Sequence, residues 1–285
     1  TLIVLVAGLG YTHYFEKLFP LYWHWNAKIP FSWNGINVDI PEGFFEVEFN
    51  GRKDKLWFPR SAGSWYHQTK VHDSHNTWFA SKIWGLRATD IMQGVVFGTQ
   101  FPNLGDDERL ATRLDFDQAF GTAINRFCAQ VVVGHPLTLY GSGTMKRAFL
   151  PLRDSMRCLT LACENPADEG EFRVFNQFSE SYSIVDLAYM VQEVGNELGL
   201  DVEIKHYDNP RVEKEEHYYN PIREGLDAIG YEPSMDVKTE MKLMMQDLLK
   251  HKDVIEAKKH LLVPDIRWDG SRHRSEELKQ AETLS

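Results

Sequence analysis

Tyr66-His67-Gln68-Thr69-Lys70 holds the residues best suited to chemistry, a tyrosine and a lysine four positions apart. On a helix that spacing puts both side chains on one face, within reach of one ligand. A free phenol titrates near ~10, too high for a good base at neutral pH. A neighbouring ammonium favours the phenolate and lowers that value. A phenol tuned in this way can take a proton from a hydroxyl while hydride leaves the same carbon. The same spacing also arises by chance on amphipathic helices, so the pair alone leaves catalytic and structural readings open.

His67 titrates in a range suited to a second acid/base beside Tyr66, or it is simply hydrogen-bonded in the helix. His72 and His75 stand three apart, with Asp73 between them. No further ligand occurs at a familiar spacing, so no metal site is expected. No Gly-x-Ser-x-Gly or P-loop is present either.

The elements that must carry this pair are readable from periodicity. Residues 61–84 form a candidate helix with Trp65, Thr69, His72, Asn76, Phe79 and Ile83 expected inward and Gly85 as its stop. The run Leu2–Ala7 reads as a buried strand, and Gly8 and Gly10 as an ordinary turn. Phe45, Val47 and Phe49, then Asn50-Gly51, Leu56 and Phe58 predict a hairpin over 43–58. A strand and loop follow over 86–96. A helix capped by Asp117 is expected through Val133, with Phe120, Ile124, Phe127 and Val131 inward and Gly134 ending it. Further along come a strand at 137–140, a turn at 141–143, a helix from about Asp154 and a strand at 172–175. A capping box of Ser183 and Asp186 precedes a helix over 184–198. From Asp236 the chain reads as helical, then as a polar tail. Strands alternating with helices indicate an α/β fold with a mainly parallel sheet.

Composition bounds the function. The 285 residues are 43% hydrophobic and 25% charged, with a net charge of -10. That balance disfavours nucleic acid and anionic membranes as partners. The opening apolar run is too short to span a bilayer and lacks the basic start of a signal peptide. Cys128, Cys158 and Cys163 lack CxxC spacing and read as buried thiols in a reducing compartment, not as a disulfide frame. A cytoplasmic enzyme is the expectation. Five of the eight tryptophans fall by position 65, a cluster read as core or interface.

Several blocks around the Tyr-x-x-x-Lys pair carry a resemblance. Gly63-Ser64-Trp65-Tyr66-His67-Gln68-Thr69-Lys70 through Asn76 resembles the active-site helix of the UDP-sulfoquinovose synthases, extended short-chain dehydrogenase/reductases. Trp84–Asp90 into Gln93-Gly94-Val95-Val96, Phe120–Phe127, Gly134–Thr138, Gly170–Phe178 and Asn209–Asn220 resemble the same family, in order, over about residues 37–235.

The resemblance implies an incomplete Rossmann-like parallel sheet with a smaller C-terminal α/β sugar-nucleotide-binding domain. Residues 36–120 would be the catalytic part, 121–262 an interleaved substrate domain and 263–285 a tail. Tyr66 would be the catalytic base, and Lys70 would tune it and hold the nicotinamide ribose of NAD. Gln93 and the backbone through Val96 would line the nicotinamide–sugar junction. An Asn commonly stands at the position of Val95 in the wider epimerase family. Thr122 and Asn125 would face UDP-glucose, and Arg147 and Arg211 its phosphates.

The implied reaction oxidises C4 of the hexose, removes water across C5 and C6, adds sulfite (or sulfite from a donor) at C6 and reduces C4. Members often pair as homodimers through the active-site helix and the helix expected at 117–133. The alternatives are a nucleotide-sugar 4-epimerase or 4,6-dehydratase, and a non-catalytic UDP-sugar-binding remnant without a cofactor site. Two departures motivate the last. His13 stands where a third cofactor glycine belongs after Gly8 and Gly10, and Lys28–Gly35 lacks the family's threonine-bearing Thr-Met-Gly-Glu-Tyr-Gly, with Ser32 a chemical substitute. Residues 1–35 read as a truncated or replaced remnant of the cofactor half.

Overall fold

The structure, a computed structural model, describes residues 2–8, 32–33, 36–37, 39–58, 65–100, 112–117, 120–208 and 218–263. Gly10, His13, the aromatic stretch at 22–26, Arg211 and the tail from 264 lie outside the described residues.

Three parallel strands form the principal sheet. β1 (Leu2–Gly8) pairs with β6 (Arg87–Gln93), and β6 pairs with β10 (Phe172–Gln177). Ala88 and Ile91 of β6 are fully buried, as a parallel strand covered on both faces requires. The register sets Gly8, Gln93 and Gln177 side by side at the shared carboxyl end.

Between β1 and β6 come two short paired strands, β2 (Ser32–Trp33) and β3 (Ile36–Asn37), then the hairpin of β4 (Phe44–Phe49) and β5 (Arg52–Trp57). Asn50 and Gly51 both take positive φ, 50° and 71°, as a two-residue type I′ turn demands. Trp57 packs against Phe44, Trp78 and Phe172 and stacks on His75.

Helix α1 (Trp65–Trp84) ends at Gly85 and packs across β1, β6 and β10. Its buried face differs from the expected one. Thr69, His72 and Asn76 are exposed, and Phe79, Ile83 and Trp84 are 57%, 57% and 70% exposed. Ser74 and Ser81 are fully buried instead. Small side chains let the helix lie close to the sheet, and Ser74 Oγ donates to Asp90 Oδ2 on β6 at 2.6 Å.

After β7 (Val95–Phe97), α2 spans Ala123–Val132 and is capped by Thr122, not Asp117. The Asp117 carboxylate accepts from the Phe120 amide at 2.8 Å and so closes a turn ahead of the helix. Gly121 permits that turn, since a Cβ there would sit 2.3 Å from Asp117 O. Phe120, expected inward, is 70% exposed, whereas Ile124, Phe127 and Val131 are buried. His135 N donates to Gln130 O across Gly134 (φ 65°), a Schellman close to the helix.

The second half holds β8 (Leu137–Tyr140), β9 (Lys146–Pro151), α3 (Leu152–Glu164), β11 (Glu180–Ser183), α4 (Ile184–Glu197) and β12 (Ile204–Tyr207). Short α5 (Gly225–Ala228), α6 (Val237–Lys250) and α7 (Lys252–Ala257) follow. β9 pairs parallel with β7 and antiparallel with β11; β12 pairs parallel with β8. Ser183 caps α4 by accepting from Asp186 N, while its hydroxyl donates to the Asp186 carboxylate.

The main core lies where α2, α4 and α6 pack together, around Phe127, Leu187, Met241 and Met244. Burying each of these side chains stabilises the fold by roughly 1.5–3 kcal/mol. Every residue of α2 from Ile124 to Val132 is buried, so α2 offers no face for pairing with a second copy.

A polar clasp ties residues 39–42 to the C-terminal half. Asp39 Oδ1 accepts from Tyr218 Oη at 2.6 Å and Asn220 Nδ2 at 2.9 Å. Glu42 accepts from the amides of Asn176 at 2.9 Å and Gly225 at 2.7 Å. Cys128 and Cys158 are buried as expected, whereas Cys163, also expected inside, is exposed. No described helix is long and apolar enough to cross a membrane.

Candidate active site

In parallel sheets of this kind ligands sit beyond the carboxyl ends of the strands. α1 runs back against the sheet, because its last residue leads through Gly85 and Leu86 directly into the start of β6. Twenty residues of helix span about 30 Å, more than the roughly 23 Å of a seven-residue strand. The first turns of α1, with Tyr66 and Lys70, therefore lie toward the carboxyl end where Gln93 and Gln177 meet. Lys70 is half-buried; the side chains of residues 65–67, including Tyr66 and His67, lie outside the described part.

Gln93 closes β6 and is half-buried. Its Nε2 donates to Ser155 Oγ at 2.8 Å and to Gln177 Oε1 at 3.0 Å. Gln177, fully buried, in turn donates from Nε2 to Ser155 O at 3.1 Å. Its side chain is also hydrogen-bonded to the Cys158 thiol, which burial pushes up to about 12 and so keeps neutral. Sequence reading identified Gln93 but not Gln177 or Ser155, although Gln177 sits in one of the resembling blocks.

Gly94 follows with its amide donating to Gln177 O at 2.8 Å. A Cβ there would come within 2.9 Å of Ala148 O, so this turn is pressed onto β9. Val95 belongs to the main core. Val96 pairs with Leu150, and its side chain packs on the cluster of Leu150, Cys158 and Phe175.

The contact with Ala148 puts Arg147 one residue from the Gln93–Gly94 turn. Arg147 is 7% exposed. Its Nη1 donates to Lys146 O at 2.7 Å and its Nη2 to Met145 Sδ at 3.4 Å. Among the described residues no carboxylate pairs with it. Facing it across the ladder is Tyr182, whose hydroxyl donates to Glu180. Burial, then that neighbouring carboxylate, push the phenol well above its ordinary value.

Thr122 and Asn125 open α2. Thr122 Oγ1 accepts from Asn125 N at 3.4 Å, and Asn125 Nδ2 donates to Asp115 O at 3.2 Å. Asn125 Oδ1 is buried with no hydrogen-bond partner among the described residues, an acceptor that a ligand hydroxyl would satisfy. No described hydrogen bond joins this pair directly to Gln93.

His72 meets Gln68, with the two Nε2 atoms 2.7 Å apart, and His75 lies on Trp57 with ring centroids 4.8 Å apart. Among the described residues no group of three metal-ligating side chains comes together.

No family model matches the chain. It is 47% identical over 232 residues to the chloroplastic UDP-sulfoquinovose synthase of Spinacia oleracea, covering 81% of the chain and 48% of that protein. It is 48% identical over 231 residues to the UDP-sulfoquinovose synthase of Sulfolobus acidocaldarius, covering 81% and 58%. The chain thus spans about half the length of the curated relatives it matches. Among solved structures, a Thermotoga maritima UDP-glucose 4-epimerase with UDP-glucose superposes with a TM-score of 0.55 at 16% identity, over 88% of this chain and 63% of that one. A Streptomyces venezuelae dTDP-glucose 4,6-dehydratase with NAD bound gives 0.56 at 14%, over 89% and 62%. Likeness at this identity carries the fold: an α/β, Rossmann-like chain.

Proposed function

Because the chain is a relative of the UDP-sulfoquinovose synthases over four-fifths of its length, we propose that it belongs to a nucleotide-sugar-modifying enzyme of the extended short-chain dehydrogenase/reductase kind. The specific reaction we propose is UDP-glucose plus sulfite giving UDP-sulfoquinovose plus water. The observation that carries this reading is the meeting of Gln93 and Gln177 at the sheet's carboxyl end, toward which α1 brings Tyr66 and Lys70.

The residues there fit the nicotinamide side of NAD, with the carboxamide oxygen of Gln93 and an ammonium on Lys70. NAD, when bound, supplies the acceptor and later the donor of a hydride at C4. Tyr66 takes the C4 hydroxyl proton as that hydride leaves, and the Lys70 charge favours its phenolate. With C4 at the ketone level the C5 proton becomes acidic, and water is lost across C5 and C6. Sulfite, free or from a donor, then adds at C6, and Tyr66 returns the proton when C4 is reduced. Asn125 offers its unpaired oxygen to a hydroxyl of the sugar nucleotide. Arg147 offers a buried guanidinium to a phosphate, with Arg211 in the same role.

A second reading, a UDP-sugar binder without turnover, is favoured by the unmatched threonine motif at 28–35. The deciding experiment is mass spectrometry of the cofactor released on denaturing the purified chain, followed by a sulfite assay with UDP-glucose. NAD near one per chain and sulfite-dependent product support the synthase. NAD with sulfite-independent product points to a 4-epimerase or 4,6-dehydratase. UDP-glucose binding with neither NAD nor turnover establishes the binder.

A further inference from the structure

The hydrogen bonds around Gln93 leave it one orientation. Gln177 faces the backbone carbonyl of Ser155 at 3.1 Å, and a carbonyl can only accept, so the atom there must be the amide nitrogen. Oε1 of Gln177 therefore points to Gln93. An oxygen there can only accept as well, so the Gln93 atom 3.0 Å away must be its nitrogen, and Ser155 Oγ at 2.8 Å takes the other N–H. Both N–H groups of Gln93 are used. Nothing among the described residues donates to Gln93 Oε1, and Gln93 as a whole is only half-buried. The backbone is fixed too, since Gly94 N donates to Gln177 O at 2.8 Å and the turn presses on Ala148.

We infer that Gln177 is a positioning residue that locks the Gln93 carboxamide with its oxygen outward, so that the end of β6 selects a ligand group that donates a hydrogen bond. The inference rests on the ligand reading above and deepens it. Two donors fit the chemistry, a hydroxyl of the UDP-sugar and the carboxamide NH2 of the cofactor. A freely turning glutamine would meet either a donor or an acceptor; a locked one rejects a group that can only accept, because two acceptors are left facing each other.

The test is calorimetric binding to the full chain with paired ligands. UDP-glucose is compared with its 2-, 3-, 4- and 6-deoxyfluoro analogues, which accept but cannot donate at the altered carbon. NAD is compared with its 3-acetylpyridine analogue, which lacks the NH2. In the wild type one arm should show a penalty of about tenfold, the size of one hydrogen bond, and that arm identifies the source of the donor. In Gln177→Leu the lock is gone and the penalty should fall to about twofold or less. Gln177→Met, closer in shape, repeats the comparison should the leucine variant melt early. A merely structural role for Gln177 would weaken each pair equally and leave the ratio unchanged. That outcome, or a wild type indifferent to every pair, overturns the inference. A wild type that binds neither UDP-glucose nor NAD overturns the underlying ligand reading and the inference with it.

Discussion

Arg153 on α3 and Glu240 on α6 meet inside the protein, Nε donating to Oε2 at 2.8 Å, with only 15% and 1% of their side chains exposed. The other carboxylate oxygen is buried without a hydrogen-bond partner among the described residues and faces Gly98, where a Cβ would come within 2.7 Å of it. Burial raises the Glu240 carboxyl above its ordinary value, and the guanidinium opposes that rise.

Removing the guanidinium should strand a buried carboxylate. Arg153→Met is expected to cost about 3–5 kcal/mol at neutral pH in urea unfolding. In the variant burial and the nearby Asp154 charge act unopposed, so the folded-state value climbs further above the unfolded one. A raised carboxyl stabilises the fold below the unfolded value, ~4.3, and that contribution is lost as pH rises through the folded value. The deficit should therefore be small near pH 4 and grow toward pH 8; a deficit flat with pH would rule out this origin.

Arg147 makes the opposite case, a buried cation whose partners among the described residues are a carbonyl and a thioether. Without ligand it costs stability, so Arg147→Met should leave the melting temperature unchanged or raise it. The same variant should bind UDP-glucose at least about tenfold more weakly, for want of a charge-assisted contact to phosphate. Undiminished affinity would remove Arg147 from the proposed phosphate site.

Asp236 caps α6, accepting from Thr239 N at 2.7 Å and from Thr239 Oγ1 at 3.0 Å. Asp236→Ala should cost about 1 kcal/mol, and Asp236→Asn much less. The Thr239 amide holds the carboxyl below its ordinary value. Its stabilisation is accordingly present above the unfolded value of ~3.9 and is lost as pH falls through the folded one. Chemical denaturation at pH 7 and pH 2.5 should show the gap between wild type and Asp236→Asn closing in acid.

The exposed Phe79, Ile83 and Trp84 on α1 are the face we propose for a homodimer. Light scattering should give a dimer mass for the wild type and a monomer mass for the pair Phe79→Glu, Ile83→Lys. A monomeric wild type would remove the homodimer from the reading.

What could be read from sequence followed local rules. Asn50-Gly51 announced its hairpin, and Ser183 with Asp186 announced α4, because in each case the deciding hydrogen bonds join near neighbours. The buried face of α1 is not legible from periodicity, because Trp65, Phe79 and Ile83 mark a different stripe, while the buried positions Ser74 and Ser81 are small residues that carry no periodic signal. Asp117 and Thr122 both suit a helix cap; the turn at Gly121 gives the role to Thr122. Gln93 was reached through resemblance alone. Its partners Ser155 and Gln177 stand 62 and 84 residues away, and no local pattern points to them.

The clasp at residues 39–42 has a consequence for the order of folding. Asp39 and Glu42 are anchored by Asn176, Tyr218, Asn220 and Gly225, at sequence separations of 134 to 183 residues. Contacts that distant form late, because the intervening chain must first be confined. During synthesis the 39–42 segment can first meet Asn176, and it cannot complete its contacts until Tyr218, Asn220 and Gly225 have also emerged. The neighbouring β4–β5 hairpin, by contrast, pairs residues only 3 to 13 positions apart.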